Sequence, residues 1–177
     1  RNASPRDDWK CTIRAYYLDF LRARRAGSML EIGAGTGQDS EFFLQSGLRV
    51  TAIDLSSESI QLCKKRGLNA LVMDFYQMTF SNDEFDSMYA FNCLFHVPAA
   101  HSSSVFRELS RVIKPGGSLF IGQRGGTRFE GWYRVPGKEE SRYSAVFKME
   151  NYKKMLKPHF QLVESHILPV KNYEFLG

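Results

Sequence analysis

Long apolar runs are missing from this 177-residue sequence. None approaches the roughly 20 residues that a membrane-spanning helix needs. The opening stretch, RNASPRDDWK, has no apolar core of the kind a secretory leader carries. Cysteine is scarce: Cys11, Cys63 and Cys93 are the three residues present. The number is odd and no C-x-x-C pair occurs, so a disulfide framework or a zinc site is not expected. A cytoplasmic, reducing setting is. Repeats and low-complexity tracts are absent, and nothing marks a second domain.

What remains is ordinary for a globular chain. Apolar residues make up 43%, and the length suits one domain with a single core. The net charge of +5 is uneven: residues 1–30 carry +4, residues 31–110 carry −5 and residues 111–177 carry +6. Basic flanks admit an anionic partner such as RNA, but solvated helix faces are the preferred reading, because net charge constrains function weakly.

Periodicity gives the order of elements. Trp9, Ile13, Tyr16, Tyr17, Phe20 and Leu21 recur at spacings of three and four, which predicts an amphipathic helix closing near Gly27. SMLEIG predicts a buried strand, DSEFFLQSG a helix and LRVTAID a second strand. Ser56 is placed to cap the next helix, with Lys64, Lys65 and Arg66 in its last turn and Gly67 as its stop. NALVMD and FDSMYAFN predict strands three and four. A helix marked by Val105, Phe106, Leu109, Val112 and Ile113 leads through KPGG to a fifth strand, SLFIGQ. Alternation at this rhythm implies right-handed crossovers and a parallel sheet. After Gln123 the rhythm breaks into a Gly, Arg and aromatic stretch without clean period. MENYKKML then predicts a helix, FQLVESHIL a strand, and KNYEFLG the start of another strand, cut short.

The segment MLEIGAGTGQD carries the chemistry. Glycine at this density weakens a helix or strand interior, so bare backbone is needed there. Asp54 closes strand two and Asp74 strand three. In an open α/β sheet, ligands bind outside the carboxyl ends of the strands. Asp54 can accept from both hydroxyls of a ribose, Asp74 from an exocyclic amine, and Phe75 can pack on a base. Together they describe an adenosine site. The dinucleotide fingerprint G-x-G-x-x-G is not matched, because the third glycine comes one residue early. Glu31, just ahead of the loop, would repel a nearby phosphate. No G-K-[ST] follows these glycines, which excludes a P-loop.

LEIGAGTG, AIDLS, VMDF, FDSMYAFNCLFHV and RELSRVIKPGGSLFI, in that order, resemble the class I S-adenosylmethionine-dependent methyltransferases. The likeness is to the small-molecule branch of methyltransferase 11 or 25 type, and it covers roughly residues 9–168. It implies a doubly wound, mostly parallel sheet in a three-layer α/β/α, Rossmann-like fold. It implies one domain: a first helix at 9–27, a cofactor-binding core at 28–123, a substrate or lid segment at 124–148, and a helix and strands at 149–177. S-adenosyl-L-methionine is the implied cofactor. Gly33, Ala34, Gly35 and Gly37 would border its methionine part, Asp54 its ribose, and Leu55, Met73, Asp74 and Phe75 its adenine. Asn92 would lie under its sulfonium. Glu31 matches the family's acid at the end of strand one, as loop-orienting residue or ligand contact.

Methyl transfer from a sulfonium is an in-line displacement in which alignment does most of the work. His96, after strand four, is the candidate general base, with a packing or capping role as the alternative. NCLF stands where relatives that methylate amides or adenine carry N-P-P-[YF]. No Asp-Asp-Asn set like that of the metal-dependent catechol enzymes is present, so no metal is expected. Tyr16, Trp132 and Tyr133 are the candidate acceptor contacts, and aromatic walls with arginines suit a planar or anionic small molecule. An RNA acceptor, with steep salt dependence, and a non-catalytic cofactor-binding module are the other readings.

Overall fold

A computed structural model describes residues 8–126, 128–134, 141–170 and 173–177. The elements are α1 (Asp8–Ala23), β1 (Ser28–Ile32), α2 (Gln38–Gln45), β2 (Arg49–Asp54), α3 (Ser57–Lys65), β3 (Asn69–Val72) and β4 (Phe85–Phe91). A short 3₁₀ turn (Leu94–His96) leads to α4 (Ala99–Val112), β5 (Ile113–Gly125), β6 (Phe129–Arg134), β7 (Ser141–Val146), α5 (Met149–Leu156), β8 (Ile167–Val170) and β9 (Tyr173–Leu176). The main sheet runs β3-β2-β1-β4-β5-β9-β8. Its first five strands are parallel, while β9 is antiparallel to both β5 and β8. This is a doubly wound α/β/α fold.

Strand alternation sorts the core between two faces. On one, Met29, Val50 and Tyr89 pack on Tyr17, Leu18, Leu21 and Phe43 of α1 and α2. On the same face, Ala52 and Ala70 meet Ile60 and Cys63 of α3. On the other, Leu30, Ile32, Ile53 and Met88 pack on Val105, Phe106, Leu109 and Val112 of α4. Every residue of β1 is buried, as expected for the central strand of a sheet covered on both faces. Ser56 caps α3 through a hydrogen bond that its hydroxyl accepts from Ser59 N at 3.1 Å. Tyr17 OH donates toward the carbonyls of Met88 and Ser118 at 3.0 and 3.1 Å, tying α1 to β4 and β5.

Three expectations are corrected. The stretch after Gln123 contains an antiparallel hairpin, β6–β7, in register from Phe129↔Val146 to Arg134↔Ser141. Gly131 interrupts β6, which has no buried residue, and three consecutive residues of β7, Ser144 to Val146, are buried, so neither strand shows a clean alternation. Residues 127 and 135–140 lie outside the described residues, and β5 runs two residues past the expected boundary, to Gly125. FQLVESHIL pairs only in its last part: His166 exchanges backbone bonds with Gly177 at 2.6 and 3.0 Å, and Ile167 begins the ladder with β9. Its Leu162 and Val163 are exposed and Phe160 packs against the core. The closing stretch KNYEFLG carries β9, which is seated between β5 and β8.

Asp86 anchors the end of the sheet opposite the strands' carboxyl ends. Its Oδ2 accepts from Gly27 N and Ser28 N, both at 2.8 Å, and its Oδ1 from Lys114 Nζ at 2.6 Å. Partial burial pushes this carboxyl up, but the bonds from Lys114, Gly27 and Ser28 outweigh it. The net effect holds it well below the usual carboxylate range. A depressed acid stabilises the fold above its unfolded value and loses that contribution as pH falls through the folded one. Asp86→Ala is therefore expected to lower urea stability by about 2–3 kcal/mol at pH 7. The difference from wild type should shrink steadily below about pH 4.

Candidate functional site

The parallel register lines up the carboxyl ends of four strands. Ile32 of β1 pairs with Ile53 of β2 and Ala90 of β4, and Asp54 of β2 pairs with Val72 of β3. The residues that follow these positions form one rim. Backbone bonds continue the ladder into it: Ala34 N to Ile53 O at 3.0 Å, Met73 N to Asp54 O at 3.1 Å, and Asn92 N to Gly122 O at 2.7 Å. Gly33, Asp54, Met73 and Asn92 are thereby brought together. Asn92 holds φ +55°, a left-handed conformation that asparagine tolerates better than most residues.

The three loop glycines have different reasons to be glycine. A Cβ on Gly33 would lie 2.4 Å from Cys93 Cβ, and one on Gly37 would lie 2.6 Å from Leu68 and 2.8 Å from Cys63 Sγ. These two make room for the chain's own side chains. A Cβ on Gly35 would meet nothing within 4 Å. Gly35 alone presents backbone to open space, at φ +53°.

Asp54 organises the rim. Its Oδ2 accepts from Gly35 N at 2.8 Å and its Oδ1 from Ser56 N at 2.9 Å. A carboxylate offers about four acceptor sites, so each oxygen keeps one for a ligand. Leu55 beside it is 64% exposed. Asp74 lies two residues beyond β3, is exposed, and accepts from Tyr76 N at 2.9 Å in a local turn. Phe75 stacks on Tyr76 and, with Met73, borders the core. Glu31 is buried and accepts from Ser40 Oγ, linking β1 to α2 beneath the loop. Burial, with the charges of Glu31 and Asp54, pushes the Cys63 thiol up to about 11. The same influences raise the Cys93 thiol.

The acceptor candidates are dispersed. Tyr16 is 54% exposed and donates to Glu164 at 2.5 Å. Trp132 is 72% exposed, with its ring edge-on to Tyr143. Only Tyr133 lines a cavity of about 830 Å³ between the hairpin and β9, with Phe95, Phe129, Arg124, Lys148 and Glu174. That cavity lies away from the glycine loop, and Phe95 is its border with the turn that carries His96. His96 Nδ1 is 2.6 Å from Tyr143 O.

Sequence reasoning missed Arg14. This α1 side chain stacks 4.3 Å over Phe42 and donates to Asp39 at 3.2 Å and Gln38 O at 3.5 Å, just past Gly37. Its Nε is buried without a hydrogen-bond partner among the described residues. The signal was available: Arg14 interrupts the buried stripe that Leu18 and Leu21 continue.

A family model described as a methyltransferase domain matches residues 30–121. The ubiquinone biosynthesis O-methyltransferase of Xanthomonas oryzae pv. oryzae is 34% identical over 114 residues, covering 59% of this chain and 47% of that protein. The chain thus spans about half the length of the curated relatives it matches. Two solved structures share the fold. A SAM-dependent methyltransferase from Methanosarcina mazei superimposes with TM-score 0.74 at 22% identity, over 84% of this chain and 89% of its own. The Burkholderia thailandensis 1,6-didemethyltoxoflavin-N1-methyltransferase, solved with 1,6-didemethyltoxoflavin and S-adenosylhomocysteine, gives 0.70 at 19%, over 99% and 91%.

The glycine geometry separates folding from binding. Gly33→Ala forces Cys93 aside and is expected to cost about 3 kcal/mol in urea unfolding, the sum of overpacking and left-handed strain. Gly35→Ala should cost only about 1–2 kcal/mol while blocking whatever approaches that backbone, read by ligand titration of the folded variant.

Proposed function

Because the chain belongs to the methyltransferase domain family of class I S-adenosylmethionine-dependent enzymes, we propose that it transfers a methyl group from S-adenosylmethionine to an O or N nucleophile of a small molecule. The observation that carries this reading is the half-used Asp54 carboxylate beside the open backbone of Gly35. Asp54 accepts the two ribose hydroxyls on its remaining lone pairs. Leu55 and Phe75 cover the adenine, an occupant that accounts for the exposure of Leu55. The Arg14 guanidinium, held beside the first turn of α2, meets the carboxylate of the methionine moiety. When bound, the cofactor supplies an activated methyl on a sulfonium.

The remaining work falls to the chain. It must align the nucleophile and exclude water, and alignment alone can be worth effective molarities of about 10⁵–10⁸ M. The cavity beside Phe95 and Tyr133 has the aromatic lining and mixed polar groups of a small-molecule site. His96 at its edge takes the proton that an O–H or N–H nucleophile gives up. O-methylation, the activity named for the Xanthomonas relatives, is one form of this chemistry.

Calorimetric titration tests the cofactor. Wild type is expected to bind S-adenosylmethionine and not NAD⁺, and Asp54→Ala to bind about 10- to 100-fold more weakly, as loss of charge-assisted bonds of about 1.5–3 kcal/mol requires. Arg14→Met should weaken S-adenosylhomocysteine about tenfold yet leave 5′-methylthioadenosine, which lacks the amino acid part, unchanged. Binding of NAD⁺ in place of S-adenosylmethionine, or of neither, would falsify the proposal.

A further inference from the structure

The β6–β7 hairpin is attached to the turn after β4 by a short set of polar bonds. Glu130 Oε1 accepts from Ala99 N, the first residue of α4, at 2.8 Å and from Tyr143 OH at 3.0 Å. Tyr143, on the paired strand, offers its backbone carbonyl to His96 Nδ1 at 2.6 Å. The Trp132 ring packs edge-on to the Tyr143 ring at 5.7 Å. Glu130, Tyr143 and His96 therefore form one chain of contacts.

A carbonyl oxygen can only accept, so Nδ1 must carry the hydrogen. In a neutral imidazole the other nitrogen is then a bare acceptor. His96 Nε2 makes no hydrogen bond to any described residue. The bond to Tyr143 O also survives protonation, because Nδ1 donates in both charge states. A ring held this way accepts a proton without turning. No other histidine is held so: His159 and His166 meet side-chain oxygens through Nε2.

We propose that the hairpin is a positioning device for His96, with the Tyr143 carbonyl fixing the Nδ1–H form and Glu130 clamping the Tyr143 side chain to the start of α4 so that carbonyl and ring keep their register, and that Nε2 is the proton acceptor. The assignment of a role to Nε2 rests on the methyl-transfer reading. In the step, the acceptor's O–H or N–H proton moves to Nε2 as its lone pair takes the methyl carbon. The carbon–sulfur electron pair stays on sulfur, and the imidazolium returns its proton to water. Glu130 touches none of the reacting atoms and acts through the two groups it holds, the Tyr143 hydroxyl and the Ala99 amide.

The tautomer is read directly in the free protein. Two-bond ¹H–¹⁵N spectra of histidine-labelled chain above pH 8 are expected to show one ring in the Nδ1–H form, absent from His96→Asn. Glu130→Ala should shift that ring toward the Nε2–H form. Glu130→Gln, whose amide oxygen still accepts, should restore it. Both Glu130 variants should bind S-adenosylhomocysteine as wild type does. Acylation of His96 by diethyl pyrocarbonate, located by mass spectrometry, should fall in proportion to the fraction of protein holding S-adenosylhomocysteine. An Nε2–H ring in wild type, or one indifferent to Glu130→Ala, overturns the positioning. Undiminished acylation in the liganded protein overturns the proton-acceptor role while leaving the methyl-transfer reading standing. Absence of S-adenosylhomocysteine binding to wild type overturns that reading itself, and the acceptor role with it.

Discussion

The site depends on one close approach. Gly33, at the end of β1, lies so near the turn after β4 that a Cβ would sit 2.4 Å from Cys93 Cβ. That contact brings two loops into one wall. One carries Gly35, Gly37 and, through a bond to Gly35, Asp54. The other carries Asn92, the Leu94–His96 turn and the start of α4. Any side chain at position 33 would hold them apart, and the glycine-loop rim would part from the turn that bears His96.

The sheet divides its labour end to end. At one end, Asp86 spends its carboxylate on the chain itself, joining the starts of β1, β4 and β5 through Gly27, Ser28 and Lys114. At the other, Asp54 is given only one backbone donor per oxygen and stays half-buried. Asp86 accepts three bonds from the chain, one of them from a lysine, where Asp54 accepts two, both from backbone. Arg14 shows the same economy, with two nitrogens engaged on α2 and α1 and a buried Nε left over.

What the residues disclosed in advance was local. Buried strands, the Ser56 cap and the acids at 54 and 74 follow from spacing within a few residues, and so does the rim they share. What stayed hidden depends on distant partners. The hairpin's alternation is broken by Gly131, and it becomes strand only because β6 and β7 find each other. The run from Phe160 to Ser165 begins with the apolar residues of a strand but finds no ladder partner among the described residues; pairing starts at His166, which meets Gly177. Tyr16 and Tyr17 look alike in sequence. Packing separates them, one reaching Glu164 at the surface and the other the carbonyls of β4 and β5. For Arg14 the stripe it interrupts was legible, but its partner Asp39, 25 residues away, was not.

The two cysteines behind the loop have a further consequence. Under the methyl-transfer reading, the rim holds a strong alkylating agent, and Cys63 and Cys93 are the softest nucleophiles near it. Only a thiolate attacks at a useful rate. Burial and the neighbouring charges of Glu31 and Asp54 hold the Cys63 thiol protonated, leaving a thiolate fraction on the order of one in ten thousand at neutral pH. The Cys93 thiol is raised as well. Under that reading, burial first and the acids of the rim second disfavour methylation of the chain's own sulfur.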